Sequence, residues 1–200
     1  MPKILVLYYS SYGHTEGLAQ AIAEGAADAG ATVAIKRVPE TAPQEIVEQA
    51  GFKTEHEHPE CEVDELPDYD GIIIGTPTRY GNICSQMQAF WDGTAELWME
   101  GKLVGKVGGA FTSTGSQHGG NETTLLSVHK LLLHQGMIVV GLPYKFDKLL
   151  TLDEVIGGTP YGATHWAGGA SSTAGLSDDE TKLAHALGVR VAATAIQLAK

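Results

Sequence analysis

A doubly wound α/β sheet is the fold class that this 200-residue sequence predicts, and two observations support it. Five short apolar runs mostly lack the polar alternation of half-exposed strands, which is typical of parallel strands that are buried on both faces. Helical segments alternate with these runs in a βαβαβ pattern, and right-handed crossovers then place helices on both faces of the sheet. The length fits one domain that includes residues 1–200.

The elements can be placed along the chain in order. The strands are predicted at Ile4–Tyr9, Thr32–Lys36, Gly71–Thr76, Val107–Thr112 and Met137–Gly141. Helices are predicted at Thr15–Ala29, Gln44–Ala50, Ile83–Trp98, Asn121–Gln135 and Asp178–Ala199. Gly30 and Gly136 are typical C-terminal stops, and Ser177 with Glu180 forms a capping box before the last helix. The long segment Leu142–Leu176, an insertion near the fifth strand, is a surface flap, a site lining or an oligomer interface.

The amino-acid composition limits which binding partners and which cellular compartment we expect. The formal net charge of −11 argues against nucleic acids and anionic membranes. The acidic excess lies mainly between Glu40 and Asp70, which indicates a solvated edge or, alternatively, a docking face for a basic electron-transfer partner. Cys61 and Cys84 are isolated and indicate no disulfide framework. No apolar run reaches the ~18 residues of a membrane helix and no signal-peptide pattern is present, so we expect a cytoplasmic protein.

Three polar loops follow predicted strands, at the edge where doubly wound sheets bind ligands. The first, Ser10–Thr15, has the sequence SSYGHT and leads into a helix, so backbone N–H groups and hydroxyls converge there as a phosphate cradle. It lacks the lysine of a P-loop and the glycines of GxGxxG. A single phosphate monoester therefore fits better than a dinucleotide, and simple helix capping is the alternative.

The second and third loops would complete a pocket around a flat ring. In the second, Gly75–Asn82, a turn shaped by a proline and a glycine presents Thr78, Arg79 and Tyr80. Its backbone amides suit the polar edge of a heterocycle, and an ordinary turn with a solvated arginine is the alternative. The third, Thr112–Asn121, is rich in glycine and hydroxyl groups and is either a close-approach loop or a loose connection.

The motif HEHPEC offers the possible metal ligands His56, His58 and Cys61. A zinc site usually has a fourth ligand at a recognisable spacing, and the sequence offers none, so we expect no metal. His134, close to Gly136, could simply complement the helix C-terminus.

Together, the stretches LYYSSYGHT, GTPTRYGN, FTSTGSQHGGNETT and GGTPYGATHWAGG resemble the WrbA-like family, the type IV NAD(P)H:quinone oxidoreductases of the flavodoxin superfamily. The resemblance extends from Lys3 to about Leu198. It implies FMN as cofactor, NADH or NADPH as co-substrate, and a homotetramer. The cofactor-binding residues that we expect are Ser10, Ser11, Tyr12, Gly13, His14, Thr15, Pro77, Thr78, Arg79, Tyr80, Gly81, Ser113, Thr114, Gly115, Ser116, Gln117, His118, Gly119 and His134.

The resemblance also implies roles toward the two substrates. Tyr12 matches a residue near the nicotinamide nucleotide and Trp98 one that faces the quinone, whereas no side chain is identified as catalytic. The third loop is about one residue longer and less glycine-rich than expected, which leaves open whether Gln117 and His118 line the FMN pocket. Trp98 and His134 lie at the far ends of their predicted helices, so they would reach the flavin of a neighbouring chain.

The implied reaction is a two-electron reduction of quinones to hydroquinones by NAD(P)H. Both substrates would use one face of the flavin in turn, which implies ping-pong kinetics. Three alternatives stay open from the sequence. They are a flavodoxin-like one-electron carrier, a non-enzymatic partner-binding protein, and a reductase that releases reduced FMN.

Overall fold

The computed structural model describes residues 1–168 and 175–199. Its strands are β1 (Lys3–Tyr8), β2 (Thr32–Arg37), β3 (Gly71–Pro77), β4 (Val107–Thr114), β5 (Ile138–Val139) and β6 (Ala163–Trp166). Its α-helices are α1 (His14–Asp28), α2 (Gln44–Ala50), α3 (Ser85–Asp92), α4 (Ala95–Met99), α5 (Asn121–His134) and α6 (Asp178–Leu198). Two 3₁₀ helices span Val63–Asp68 and Asp147–Leu150.

The strands form a parallel sheet in the order β2-β1-β3-β4-β5, with β6 also paired to β4. The strand order reverses at β1, because the chain moves outward to β2 and then returns to the other side as β3. Loops that follow β1 and β3 therefore diverge at a topological switch point, where such sheets bind ligands. The predicted fold class is confirmed.

The fifth strand position is built from two pieces of chain. β5 pairs with Val107 and Gly108 at the start of β4, and β6 pairs with Phe111–Thr114 at its end. The predicted strand Met137–Gly141 is therefore too long. The chain leaves the sheet at Gly141, where the carbonyl of Pro160 lies so close that a Cβ would be 2.1 Å from its oxygen.

The predicted helix Ile83–Trp98 is also wrong in its length, because it is interrupted after Asp92. The hydroxyl of Thr94 donates to the carbonyl of Trp91 at 2.7 Å, and a side chain that binds the backbone in this way competes with the helical pattern. The chain resumes as the short helix α4, which carries Trp98.

Helices cover both faces of the sheet, as the absence of polar alternation in the strands predicts. Alternate residues of β1 point to two separate cores: Ile4 and Val6 pack with α1 and α6, whereas Leu5 and Leu7 pack with α3 and α5. A strand that is buried on both faces needs apolar residues at every position. This explains the continuous apolar run that starts the chain.

Several local predictions are confirmed. Helix α2 has the predicted bounds, Gly30 and Gly136 have positive φ angles after α1 and α5, and Ser177 forms a reciprocal capping box with Glu180. No helix within residues 1–168 and 175–199 combines the length and apolar character needed to cross a bilayer.

The acidic segment Glu40–Asp70 lies along the β2 edge of the sheet. Two of its carboxylates pair with β2, since Lys36 bonds Glu65 and Arg37 contacts Glu60 at 2.7 Å. These pairs, with the backbone bonds between Arg37 and the chain around Glu60, indicate that part of the segment covers a sheet edge.

Candidate functional site

The first loop joins β1 to α1 and has the geometry of an anion-binding turn. Gly13 is the N-cap of α1 with φ +93°, and its amide donates to Ser10 Oγ at 3.0 Å. Glycine offers no side-chain cap, so the N–H groups of the first helical turn remain available to an anion. A Cβ at Gly13 would meet nothing within 4 Å, which shows that the space beside this turn is open. The loop fits a phosphate monoester.

The first loop is bonded to the other two. Thr15 Oγ1 lies 3.1 Å from Ser113 Oγ, and both side chains are buried. Arg79 Nη2 donates to Ser11 Oγ at 3.0 Å. The three loops that the sequence predicts to share an edge therefore meet there through direct side-chain hydrogen bonds.

The second and third loops also touch through their backbones. The amide of Thr78 donates to the carbonyl of Ser113 at 3.1 Å, and Thr78 Oγ1 lies 2.8 Å from Thr124 Oγ1 in α5. A Cβ on Gly120 would be 2.9 Å from the Cα of Gly81, so the two loops approach as closely as glycines allow. This contact fixes the relative positions of their backbone amides.

Two aromatic rings are exposed in the same loops. Tyr80 has the positive φ angle of 52°, which is uncommon for a residue with a side chain, and its ring is fully exposed. Tyr12 is 40% exposed, packs edge-on against Phe52, and donates its hydroxyl to the carbonyl of Ala50 at 3.2 Å. Both rings could cover a flat ligand.

Electrostatics at the cradle favour an anion in spite of the acidic chain. Glu16 lies in the first turn of α1 and is buried. Its carboxylate contacts Lys53 Nζ at 2.5 Å and accepts a hydrogen bond from the hydroxyl of Tyr8 at 3.1 Å. Arg79 forms no ion pair with any carboxylate of the described residues, so its charge stays available at the loop edge. The lone acid of this helix start is thus neutralised while the nearby arginine is not.

The tip and the base of the third loop lie at different places in the structure. Gln117 and His118 are exposed and line a polar cavity of about 320 Å³ together with residues 148–158 of the insertion. Ser113 and Thr114, by contrast, are buried in β4. The structure therefore brings the base of this loop to the cradle and its tip to the insertion.

A buried polar chain that the sequence analysis missed leads into the cradle. His165 in β6 has its Nδ1 3.0 Å from Glu180 Oε2, and its Nε2 lies 3.3 Å from Nδ1 of His14. Burial alone would raise the pKa of Glu180, but hydrogen bonds from His165 and from two backbone amides lower it to about 2. The available signal was a histidine in a buried strand that ends beside the cradle.

Trp98 and His134 are brought together, but not with the three loops. Trp98 Nε1 donates to the carbonyl of His134 at 2.9 Å. His134 ends α5, and the chain then enters β5 beside the start of β4. These two residues therefore lie at the amino edge of the sheet, opposite the cradle.

Two of the three candidate ligands in HEHPEC, His58 and Cys61, have polar contacts within the protein. His58 Nδ1 lies 3.0 Å from the hydroxyl of Tyr8, and burial raises the pKa of the Cys61 thiol to about 12. Among the described residues, no cluster of three or more histidine, cysteine or acidic side chains has the arrangement of a metal site.

Comparisons with known proteins agree with this geometry. The sequence model of the NADPH-dependent FMN reductase family matches residues 2–147. A protein of Gluconacetobacter diazotrophicus named NAD(P)H dehydrogenase (quinone) is 54% identical over 198 residues, 99% of each chain. One of the same name from Paracoccus denitrificans is 60% identical over 164 residues, 82% of this chain and 79% of the relative.

Solved structures show the same architecture. A flavodoxin, WrbA-like protein from Agrobacterium tumefaciens matches with a TM-score of 0.70 and 25% identity, covering 98% of this chain and 99% of that one. Oxidised flavodoxin 2 from Bacillus cereus matches with a TM-score of 0.61 at 17% identity and covers 96% and 99% of the two chains, which shows the fold alone. By sequence and by fold, this chain belongs to the NADPH-dependent FMN reductase family and, within it, to the WrbA-like flavodoxin-superfamily quinone oxidoreductases.

Proposed function

We propose that this chain is an FMN-dependent NAD(P)H:quinone oxidoreductase that reduces quinones to hydroquinones by two electrons. The observation that carries the proposal is the joining of three donor-rich loops by the Thr15–Ser113 and Arg79–Ser11 hydrogen bonds. They surround a helix start that has no side-chain cap. The high identity to relatives named for this activity supports the same conclusion.

Each part of the site has a distinct task toward the cofactor. Bound FMN supplies the hydride and electron chemistry. The residues Ser10–Thr15 hold the phosphate through hydroxyls and backbone amides, and hydrogen bonds to a charged group contribute about 1.5–3 kcal/mol each. The polar edge of the flavin ring is bound by two parts of the site. They are residues 77–81 of the second loop and the base of the third loop, Ser113 and Thr114. Arg79 stabilises negative charge there.

The substrates use the exposed face of the same pocket. Tyr12 lies at the cradle with its ring half-exposed and is assigned to the nicotinamide nucleotide. Trp98 is assigned to the quinone and His134 to the flavin, and both act from a neighbouring chain. No side chain needs to act as a nucleophile, so the protein orients two substrates in turn and excludes water from the ring.

A homotetramer is the assembly that we propose, because the Trp98 edge carries an apolar surface that needs a partner. Large apolar side chains are exposed around the Trp98–His134 contact, and such clusters mark interaction sites. They are Trp98, Met99, Val104, Leu133 and Ile138. We also propose the cytoplasm as its compartment, which the two buried, unpaired cysteines support.

Binding and kinetics test this function together. Apo protein should quench FMN fluorescence at one FMN per chain and bind riboflavin more weakly. The FMN-loaded protein should oxidise NAD(P)H with benzoquinone as acceptor, and double-reciprocal plots at several quinone concentrations should be parallel. Riboflavin that binds as tightly as FMN would refute the phosphate cradle. NAD(P)H oxidation that is absent from FMN-loaded protein would instead support a one-electron carrier or a partner-binding protein.

A further inference from the structure

A groove of about 790 Å³ runs along helix α6, and residues 143–146 form its other side. The α6 residues that line it recur with the helical repeat from Thr181 to Gln197, so they form one face of the helix, about 24 Å long at about 1.5 Å per residue. The opposite face of α6 is buried in the core, for example through Leu187 and Val191. The volume of this α6 groove lies within the roughly 300–1,000 Å³ of small-molecule sites.

The floor of the α6 groove is apolar. Ala186, Val189 and Ala193 line it from α6, and Phe146 lines it from the other side. Phe146 and Ala186 also pack against the core beneath α6, so the floor is a fixed part of the fold. All four side chains are still partly exposed, and an apolar ligand that covers them would remove more of their surface from water.

The rim of the α6 groove is basic. It carries Lys145, Lys182, His185 and Arg190, and no carboxylate of the described residues lines the groove. The whole chain, by contrast, has 24 acidic residues and 13 lysines and arginines. The groove therefore reverses the charge balance of the chain, and such a surface raises the local concentration of anions.

Two of the rim cations are available to a ligand. Lys182 and His185 each contact an aspartate. Lys145 and Arg190 are exposed and form no ion pair with any carboxylate among residues 1–168 and 175–199. Lys145 Nζ lies 5.5 Å from the ring centroid of Phe146, so one unpaired charge stands directly beside the apolar floor.

An apolar floor beside unpaired cations is complementary to an amphipathic anion. A second copy of the chain is a poorer occupant, because its acidic segment Glu40–Asp70 lies at the β2 edge. Pairing that edge with α6 would join two different surfaces, and such contacts need not close into a ring. An anionic membrane is also a poorer occupant, because the net charge of −11 repels it. A dissolved small molecule meets neither obstacle.

We propose that the α6 groove binds a small amphipathic anion, with its carboxylate or sulfonate head held by the unpaired cations and its apolar tail along the floor. This site is separate from the proposed FMN pocket and serves no step of the proposed reaction. No covalent bond changes when the ligand binds.

Two probes with the same tail and opposite charges test the chemistry of the groove. Decanoate and decyltrimethylammonium are titrated by calorimetry into FMN-loaded protein, in which the flavin pocket is already filled. Low ionic strength is used because salt screens exposed charges. We expect one decanoate per chain, bound about tenfold more tightly than the ammonium probe. No decanoate binding, or equal binding of both probes, would overturn the inference.

Removing the unpaired charges should weaken decanoate alone. Arg190→Gln and Lys145→Gln should each lower its affinity about threefold, and together about tenfold, without lowering the affinity for decyltrimethylammonium. Lys130→Gln is the matched control, because Lys130 is also exposed but lies on α5, which covers the opposite face of the sheet. A double variant that binds decanoate like wild type would show that the anion binds elsewhere.

Filling the groove tests its shape independently of its charge. Ala193→Leu keeps every rim cation but places a larger side chain on the floor, so both probes should bind about tenfold more weakly. Thermal unfolding checks that the variant is folded, and the charge variants remain a test if it is not. A folded Ala193→Leu protein that binds decanoate unchanged would contradict the α6 groove as the site.

Two further measurements separate the small molecule from the other occupants. Sedimentation compares wild type with the Arg190→Gln, Lys145→Gln double variant, and the same proteins are mixed with phosphatidylglycerol vesicles. We expect equal assembly and no vesicle binding for both proteins. An assembly or a vesicle complex that only wild type forms would assign the groove to a second copy or to a membrane and overturn the inference. None of these readouts uses NAD(P)H or quinone, so the groove and the proposed function can fail separately.

Discussion

Trp98 donates its indole N–H to the carbonyl of His134 at 2.9 Å, which joins the short helix α4 to the end of α5, a helix that begins beside the third loop. Helix α5 has 14 residues and so spans about 20 Å at about 1.5 Å per residue. His134 therefore lies about that far from its own third loop. Both residues can contact FMN only if it belongs to another chain.

Subunit mixing tests this composite site. A Thr15→Glu chain should not bind FMN, because its carboxylate would repel the phosphate, and a Trp98→Ala chain should bind FMN but reduce quinones poorly. Mixed assemblies of the proposed tetramer should regain quinone reductase activity, because a wild-type Trp98 then covers a filled flavin. Verified subunit exchange without recovery, or full activity in an isolated monomer, would contradict the composite site.

The hydroxyl of Thr15 should matter more to FMN than to riboflavin. Thr15→Val keeps the shape of a buried side chain but removes the hydroxyl that forms a hydrogen bond with Ser113 and that we expect to bind the phosphate. We expect FMN affinity to fall about tenfold, with riboflavin affinity nearly unchanged in fluorescence titrations. Thr194→Val in α6, which removes a hydroxyl bonded to the carbonyl of Arg190, is the control. Equal losses for both flavins would argue that Thr15 serves only the fold.

Replacing either of two glycines in α1 with alanine should change the free energy of unfolding, but in opposite directions. A Cβ on Gly25 would lie 1.9 Å from the carbonyl oxygen of His185, whereas a Cβ on Gly17 would lie 3.8 Å from Leu176 Cγ. Gly25→Ala must push α6 away and should lower the free energy of unfolding by about 1–3 kcal/mol. Gly17→Ala should raise it by up to about 1 kcal/mol through helix propensity. Urea unfolding of the apo proteins compares them, and an unaffected Gly25→Ala variant would disprove the close helix contact.

Glu180 should stabilise the fold in a pH-dependent way. Its pKa falls from 4.5 to about 2 in the folded protein, so its contribution is complete above about pH 4.5 and is lost as pH falls toward 2. Glu180→Gln should be less stable than wild type at pH 7, on the order of 3 kcal/mol. The difference should shrink on acidification between pH 5 and 2. A difference that stays constant over this range would show that the carboxylate charge is not responsible.

Much of this architecture could be predicted from the sequence because the strands are apolar on both faces and the loops carry their own chemistry. The run from Ile4 to Tyr9 could be predicted as a strand buried on both faces, because it has no polar alternation. The break in the helix before Trp98 could not be foreseen, because it depends on Thr94 bonding its own backbone. The second half of the fifth strand position could not be predicted either. Residues Ala163–Trp166 form a strand there by pairing with the end of β4, which is far away in the sequence.

The candidate site was also only partly predictable from the sequence. Ser10–Thr15, Thr78 and Ser113 could be grouped because parallel strands end at one edge of a sheet. His165 could not be joined to His14, because 151 positions separate them and no local pattern pairs them. Glu180 was recognised only as half of a capping box, since its other partners come from the insertion and β6.

An anaerobic titration of the FMN-loaded protein tests the central claim most directly. The flavin absorbance should be lost with one equivalent of NADH or NADPH per chain and should return with one equivalent of benzoquinone, yielding hydroquinone. This result is expected from a two-electron enzyme whose substrates use one site in turn. Flavin that NADH and NADPH leave oxidised, or reduced flavin that benzoquinone does not reoxidise, would contradict the proposed function.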